Sequence, residues 1–223
     1  MRTVLLLLPS VLAAQPATFD IRPAPRSRFA LEVYKSKLWE GRKHTFVFDR
    51  FRGVLGFDAE RAEHSMVSFV VESASARCVD DWVKPHQIKD IEKAAITDTM
   101  DAAEYPELTF RSTAIRRTSA DQYEVQGALT IRGKSRPVML ALKALPEESG
   151  MWFEGSSRVK LSDFGLTPPR GVFGVRLVIG TKDEMSVLFR YWRAKVARCK
   201  LSSMTEFRAH QFRGRHARSG NAA

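Results

Sequence analysis

Cysteine is scarce in this chain. Of its 223 residues only Cys78 and Cys199 are cysteines, and they form no Cys-x-x-Cys motif. This scarcity excludes a fold that depends on many disulfides. A single bridge between the two would close a loop of roughly 120 residues and stabilise the fold by roughly 4 kcal/mol on the loop-entropy model. Two unpaired thiols fit the sequence equally well, so the redox state stays open.

Motifs for catalysis and metal binding are absent too. The sequence has no Gly-x-Ser-x-Gly and no P-loop. Asp80 and Asp81 precede a predicted helix and are interpreted as solubilising charges. His44 lies beside Arg42 and Lys43 and is interpreted as part of a solvated turn, with a mouth for a lipid head group as the alternative. The other histidines show no metal-ligand spacing: His64, His86, His210 and His216. The sequence therefore predicts no catalytic residue, no metal site and no enzyme.

Long hydrophobic runs are also missing. The N-terminal run Val4–Leu12 has about half of the roughly 20 residues that a membrane-spanning helix needs. Arg2 precedes this run and small residues follow it, which is typical of a signal peptide cleaved after Ala14. The alternatives are an uncleaved anchor or a buried segment. Residues 1–17 are therefore predicted to be a signal peptide, and the protein is predicted to be periplasmic or secreted.

The positive charge is concentrated near the C-terminus. From Arg190 to Ala223 there are nine Lys or Arg residues and one acid, Glu206, so this stretch holds +8 of the formal charge of +11. Residues 193–223 are predicted to form a basic extension, and docking to an anionic membrane surface is one interpretation of it. A disordered, merely soluble extension is the alternative. Nucleic acid is not an expected partner of an exported protein.

Most of the remaining chain alternates apolar and polar residues, which predicts β-strands. About eight to ten such runs lie between residues 18 and 189. Between Phe48 and Phe51 the alternation shifts by one residue, which indicates a β-bulge. The segment from Pro85 to Met100 instead repeats apolar residues every three or four positions, so it is predicted to be a helix that begins at Pro85.

These runs predict an all-β domain over residues 18–192. Closure of the sheet into an extended antiparallel barrel of eight strands, with the one helix inserted, would remove its exposed edges. The inward faces mix large apolar residues with Ser112, Gly127, Gly155 and Ser157. Such a mixture fits a tapering, filled barrel, or alternatively a cavity for one slender apolar ligand.

Three segments in order resemble the YceI family of polyisoprenoid-binding, lipocalin-like proteins. They are EYPELTFRSTAI (104–115), VQGALTIRGKSRPVML (125–140) and VKLSDFGL (159–166). The stretch FDRFRGVLGFD (48–58) is also similar to the bulged second strand of that family. The resemblance covers about residues 18–189.

The resemblance implies an eight-stranded lipocalin-like barrel that sequesters or carries a long-chain isoprenoid or similar lipid without catalysis. No other cofactor is implied, and a homodimer is left open. The alternative is an interaction or scaffold protein that docks to an anionic membrane or an acidic partner through its basic extension. The residues predicted to line the ligand are Phe29, Leu31, Phe46, Phe48, Phe69, Phe110, Ser112, Gly127, Leu129, Ile131, Phe153 and Phe164.

Overall fold

The structure is a computed structural model that describes residues 17–36, 40–167 and 181–194. Within these residues, eleven strands form one antiparallel sheet with a single α-helix beside it, α1 (Pro85–Lys93). The strands are β1 (Ala17–Ile21), β2 (Arg28–Lys35), β3 (Lys43–Phe48), β4 (Phe51–Phe57), β5 (Met66–Glu72), β6 (Ala76–Cys78), β7 (Glu107–Arg117), β8 (Gln122–Ile131), β9 (Lys134–Glu147), β10 (Gly150–Val159) and β11 (Thr181–Ala194). In the described part of the chain, no helix is both long enough and apolar enough to cross a membrane.

The sheet curls around its apolar face. Hydrogen-bonded neighbours lead from β4 through β5, β7, β8, β9, β10, β11 and β2 to β3. β3 then leads into β4 after only two residues, Asp49 and Arg50. The predicted all-β, barrel-like architecture with one inserted helix is therefore confirmed.

The predicted count of eight strands is wrong, because the sheet has eleven. Three long strands are each interrupted. β1 and β2 both lie along the β3–β4 segment, since β1 pairs with β4 and β2 pairs with β3. β5 and β6 lie along its other side and are separated by a 3₁₀ turn, Ser73–Ser75. Alternation in the sequence shows the long strands but not their interruptions.

Burial follows the predicted alternation closely in β8. Tyr123, Val125, Leu129 and Ile131 are buried, while the residues between them are exposed or half-buried, apart from the buried Gly127. β8 and β9 are joined by Arg132-Gly133, and both residues have positive φ values, of 47° and 68°. This is the backbone conformation of a two-residue hairpin turn, so β8 and β9 form a β-hairpin.

Two bulges shift which residues face inward. The predicted shift between β3 and β4 is confirmed, because both Phe48 and Phe51 are buried. A second shift occurs in β7, where Ser112 pairs with Gly127 but Ala114 pairs with Gln126. The extra residue turns Ala114 outward and brings Ile115 into the core, at 5% exposure. Strict alternation along β7 would instead place Ala114 on the inward face of Phe110.

The inserted helix begins at Pro85 as predicted, but its α-helical part ends at Lys93. A π-helical segment, Ala94–Thr99, follows, and the Met100 N–H donates to the Ala95 carbonyl at 2.9 Å. Three partly buried residues of the two segments pack against the sheet: Ile88, Ile91 and Ile96.

Some predictions fall outside the described residues. They are the signal peptide, apart from Ala17 in β1, and most of the basic extension, so both stay predictions. The chain divides into two units, Met1–Arg193 and Ala194–Ala223, and α1 and the sheet up to Arg193 belong to the first. Cys78 is a free, buried thiol, and Cys199 lies outside the described residues.

Candidate functional site

A continuous series of aromatic rings runs through the interior. Neighbouring ring centroids are between 5.1 and 6.4 Å apart, within the range of attractive aromatic pairs. We call this set the aromatic series, and it comprises Phe29, Phe48, Phe57, Phe69, Phe110, Tyr123, Phe153, Phe189 and Tyr191. Phe69 joins its branches, since it contacts Phe29, Phe110 and Phe189. The series offers a path of aromatic surface along the barrel.

Eleven of the twelve predicted ligand-lining residues are buried, and Ser112 is half-buried. The structure brings Phe29, Phe48, Phe69 and Phe110 into one run of ring contacts. Leu129 lies directly opposite Phe110 in the β7–β8 pairing. The remaining residues lie elsewhere in the same core: Leu31, Phe46, Ile131, Phe153 and Phe164. That these residues contact a ligand stays a prediction.

The small residues beside Phe110 do not leave an empty groove there. An ideal Cβ on Gly127 would lie 2.5 Å from Cζ of Phe110 and 2.6 Å from the Arg111 carbonyl oxygen. The Phe110 ring therefore occupies the space that a side chain at residue 127 would need. Ser112 has a backbone role, because its Oγ accepts the Val67 N–H at 2.9 Å. Next to Phe110 the interior is therefore filled, as expected for a tapering barrel and not for a cavity.

Several members of the aromatic series were not predicted from the sequence. Phe189 and Tyr191 lie on β11 with Met185 and Val187, and all four are buried. Their alternation is visible in the sequence, but the polar stretch TKDE (181–184) interrupts the run. The pairing of β11 with β2 also shifts between Thr181 and Met185.

Two adjacent cavities of about 420 and 520 Å³ lie on the opposite, outward face of β2, β9, β10 and β11. They share Glu32, Ala141, Ser156 and Leu188. Ion pairs border them: Arg190–Glu154 at 2.9 Å and Lys43–Glu32 at 2.5 Å. None of the twelve predicted ligand-lining residues lines either cavity. We call this surface the outer groove, and its charged border suits a hydrocarbon chain poorly.

A separate polar group lies where β3 meets β6. His44, Cys78 and Asp80 each place one donor atom within 4.8 Å of the other two, and we call them the edge cluster. His44 Nδ1 lies 2.5 Å from Asp80 Oδ2. His44 is only 7% exposed and Asp80 only 8%. The interpretations of His44 as part of a solvated turn and of Asp80 as a solubilising charge are therefore wrong.

The edge cluster is held by neighbouring groups. Asp80 Oδ1 accepts the Thr45 N–H at 2.8 Å, and Trp82 stacks on the His44 ring with centroids 5.1 Å apart. Burial acts to raise the pKa of Asp80, but hydrogen bonds from His44 and the Thr45 N–H outweigh it, so the pKa is lowered. Burial raises the pKa of the Cys78 thiol to about 12.

The edge cluster could not be assembled from the sequence. His44 is distant in sequence from Cys78 and Asp80, and the pairing of β3 with β6 brings them together. The strand that supplies Cys78 has three residues, which is too short to give a periodic signal. Residues two apart in an extended chain point to the same face, so the sequence indicates only that Cys78 and Asp80 lie on one side of the chain.

Comparisons with known proteins agree with the fold. The sequence model of the family described as YceI-like domain matches residues 24–191. A UPF0312 protein of Azotobacter vinelandii is 32% identical over 130 residues. That match covers 56% of this chain and 64% of the relative, so the chain spans less than two thirds of the relative's length.

Two solved structures share the fold. BcnA of Burkholderia cenocepacia superposes with a TM-score of 0.59 at 23% identity, covering 74% of this chain and 96% of BcnA. A polyisoprenoid binding domain from Saccharophagus degradans superposes with a TM-score of 0.55 at 14% identity, covering 81% of this chain and 99% of that domain. At these identities the likeness concerns the fold.

Proposed function

We propose, from the premise that this chain belongs to the YceI-like family, that it binds a long-chain isoprenoid or similar lipid in its interior. It would sequester or carry this lipid without catalysing a reaction on it. The likeness to a domain described as polyisoprenoid binding supports this proposal at the level of the fold.

The observation that carries the proposal is the aromatic series. A slender hydrocarbon needs a continuous apolar path and few polar anchors, because burial of its surface contributes about 25 cal/mol per Å². The interior offers such a path through Phe29, Phe69 and Phe110, whereas the outer groove has charged borders. The interior is therefore the better candidate for the lipid.

The close packing of the rings sets a condition on binding. A chain entering between Phe69 and Phe110 has to separate rings whose centroids lie 5.1 Å apart. Each such pair contributes about 0.5–1.5 kcal/mol beyond its buried area, so contacts between rings and lipid have to replace contacts between rings. Lipid binding is therefore expected to rearrange the aromatic series rather than fill a preformed tunnel.

The first test is native mass spectrometry of the chain purified from its own cells, followed by organic extraction. One co-purifying lipid class at close to one molecule per chain is expected. A diazirine-bearing isoprenoid then maps the site by photo-crosslinking. Labels are expected on Phe69 and Phe110, whereas labels confined to Met139 and Leu188 would place the lipid in the outer groove and contradict the proposal.

A matched pair of variants gives an independent test. Leu129→Gln puts an amide on the inward face, where the leucine is 2% exposed. Leu188→Gln makes the same change in the outer groove. The first should lower lipid occupancy and the second should leave it unchanged, with circular dichroism as the check on folding. The reverse order of effects would contradict an interior site.

A further inference from the structure

We propose that the edge cluster of His44, Cys78 and Asp80 is a binding site for a divalent cation of the Zn²⁺ class. The three side chains supply an imidazole nitrogen, a sulfur and a carboxylate oxygen. Zn²⁺ takes this combination of ligands, while Mg²⁺ and Ca²⁺ prefer oxygen ligands alone. The proposal is independent of lipid binding in the barrel interior.

The geometry is close to that of a bound site. With metal–ligand distances of about 2.0–2.3 Å, tetrahedral ligands lie roughly 3.3–3.8 Å from each other. The three donor atoms already lie within 4.8 Å of one another. Binding would require His44 and Asp80 to separate from their present 2.5 Å contact by somewhat less than 1 Å. Three protein ligands would leave a fourth position for water or another small ligand.

Neighbouring groups orient the ligands, as in established metal centres. The Thr45 N–H holds Asp80 Oδ1 at 2.8 Å and leaves Oδ2 directed at His44. The stacked Trp82 ring fixes the plane of the imidazole, and the Trp82 Nε1–H donates to the Lys43 carbonyl at 3.0 Å. The Cys78 N–H donates to Glu92 Oε1 at 2.9 Å, which fixes the backbone of Cys78 against α1. The site therefore needs little ordering before it binds.

Charge also permits a cation. Two cations lie near the cluster: the half-buried Lys35 interacts electrostatically with Asp80, and the Arg42 guanidinium lies 5.0 Å from the centroid of the Trp82 ring. Metal binding releases the thiol proton, so Cys78 and Asp80 then contribute two negative charges to the site. The glutamate that receives the Cys78 N–H adds a further negative charge on the side of α1.

The test uses the full chain after removal of metals with a chelator. Titration with Zn²⁺ in competition with a chromophoric chelator should show one tight equivalent per chain. Co²⁺ in place of Zn²⁺ should give tetrahedral visible bands and a thiolate-to-metal charge-transfer band. The second signal reports directly that Cys78 is a ligand, and it requires no variant that could fail to fold.

Variants then identify the ligands. Cys78→Ser and His44→Gln should each weaken Zn²⁺ binding by about 100-fold or more, because even loss of a supporting group around a metal costs 10–100-fold. His64→Gln is the matched control: His64 Nδ1 lies 3.9 Å from Asp58 Oδ2, the His64 side chain is 46% exposed, and the pair includes no thiol. It should leave the tight equivalent unchanged, as should Cys199→Ser.

Three results would overturn the proposal. They are the lack of a tight equivalent, a Co²⁺ spectrum without the thiolate band, and a Cys78→Ser variant that binds Zn²⁺ as the unmodified chain does. Loss of the tight equivalent in either control variant would also overturn it, because the ligands would then lie elsewhere.

Discussion

Gly127→Ala tests whether the interior beside Phe110 is as closely packed as the structure shows. The added Cβ would lie 2.5 Å from Cζ of Phe110 and 2.6 Å from the Arg111 carbonyl oxygen. Ordinary carbon contacts are about 3.5–4.0 Å, so something has to move by about 1 Å. The Phe110 ring is stacked on Phe69 and the Arg111 carbonyl belongs to the paired backbone of β7, so neither moves freely.

The expected loss of stability in Gly127→Ala follows from two opposing effects. Overpacking of a closely packed core costs about 1–3 kcal/mol, and two close contacts place this site at the upper end. Replacing glycine within a strand returns about 0.5–1 kcal/mol. The free energy of unfolding should therefore fall by about 2 kcal/mol, which lowers Tm by about 4–8 °C in a domain of this size.

Gly155→Ala is the matched control in the neighbouring part of the core. Its Cβ would lie 3.0 Å from Leu140 Cδ2 and 3.5 Å from Phe189 Cδ1, which are both side-chain atoms. A small rotation of Leu140 accommodates it, so the overpacking cost and the backbone gain nearly cancel. Its Tm should lie within about 2 °C of that of the parent chain.

Differential scanning calorimetry at neutral pH measures both variants. Phe110→Leu in the Gly127→Ala background should be less destabilising than Phe110→Leu alone, since it relieves the contact with the ring. Equal Tm values for the two alanine variants, or a Gly127→Ala protein more stable than its parent, would refute this account of the packing.

Three further outcomes are expected. The hydroxyl and N–H of Ser162 hold the pKa of Asp183 below its usual 3.8, so its stabilising effect is present above that pH and lost as the pH falls through the lowered value. Tm curves of the parent and Asp183→Asn should therefore converge in acid, and a constant gap would contradict this. The free energy of unfolding measured in urea should fall by about 3–5 kcal/mol for Phe69→Ala and by about 1 kcal/mol for the outward Val70→Ala. Equal losses would place Phe69 outside the core. Removal of residues 195–223 should abolish binding to anionic vesicles, which 0.5 M salt should also weaken; unchanged binding would exclude docking through the extension.

The sequence predicts the features that have a local cause. Pro85 has a fixed φ and lacks an N–H, so it marks the helix start. The alternation in β8 reports which side chains face the core, and Arg132-Gly133 supplies a turn with positive φ. The bulge that moves Ile115 inward depends on pairing with β8, so the sequence of β7 alone does not contain it.

The edge cluster has no local cause either. It requires β3 and β6 to pair in one register, and this pairing comprises three residue pairs. The break before β6 depends in turn on contacts from distant segments. The Ser75 Oγ accepts the Arg50 N–H at 3.2 Å, and the Arg50 guanidinium pairs with Glu72. A sequence scan has no access to such contacts, so it finds the ligand types without their arrangement.

The Tyr105-Pro106 motif that carries the family resemblance acts on the fold rather than on a ligand. Its two carbonyl groups accept the Oγ–H and N–H of Ser73, at 2.9 and 2.8 Å, which fixes the turn between β5 and β6. The Tyr105 ring covers Gly133 so closely that a Cβ there would lie 2.8 Å from it. The motif thus joins three parts of the sheet. Of the rings proposed to contact a lipid, Phe110 follows in the same segment and Phe69 lies outside it, so the Tyr105-Pro106 pair itself stabilises the sheet rather than contacting the lipid.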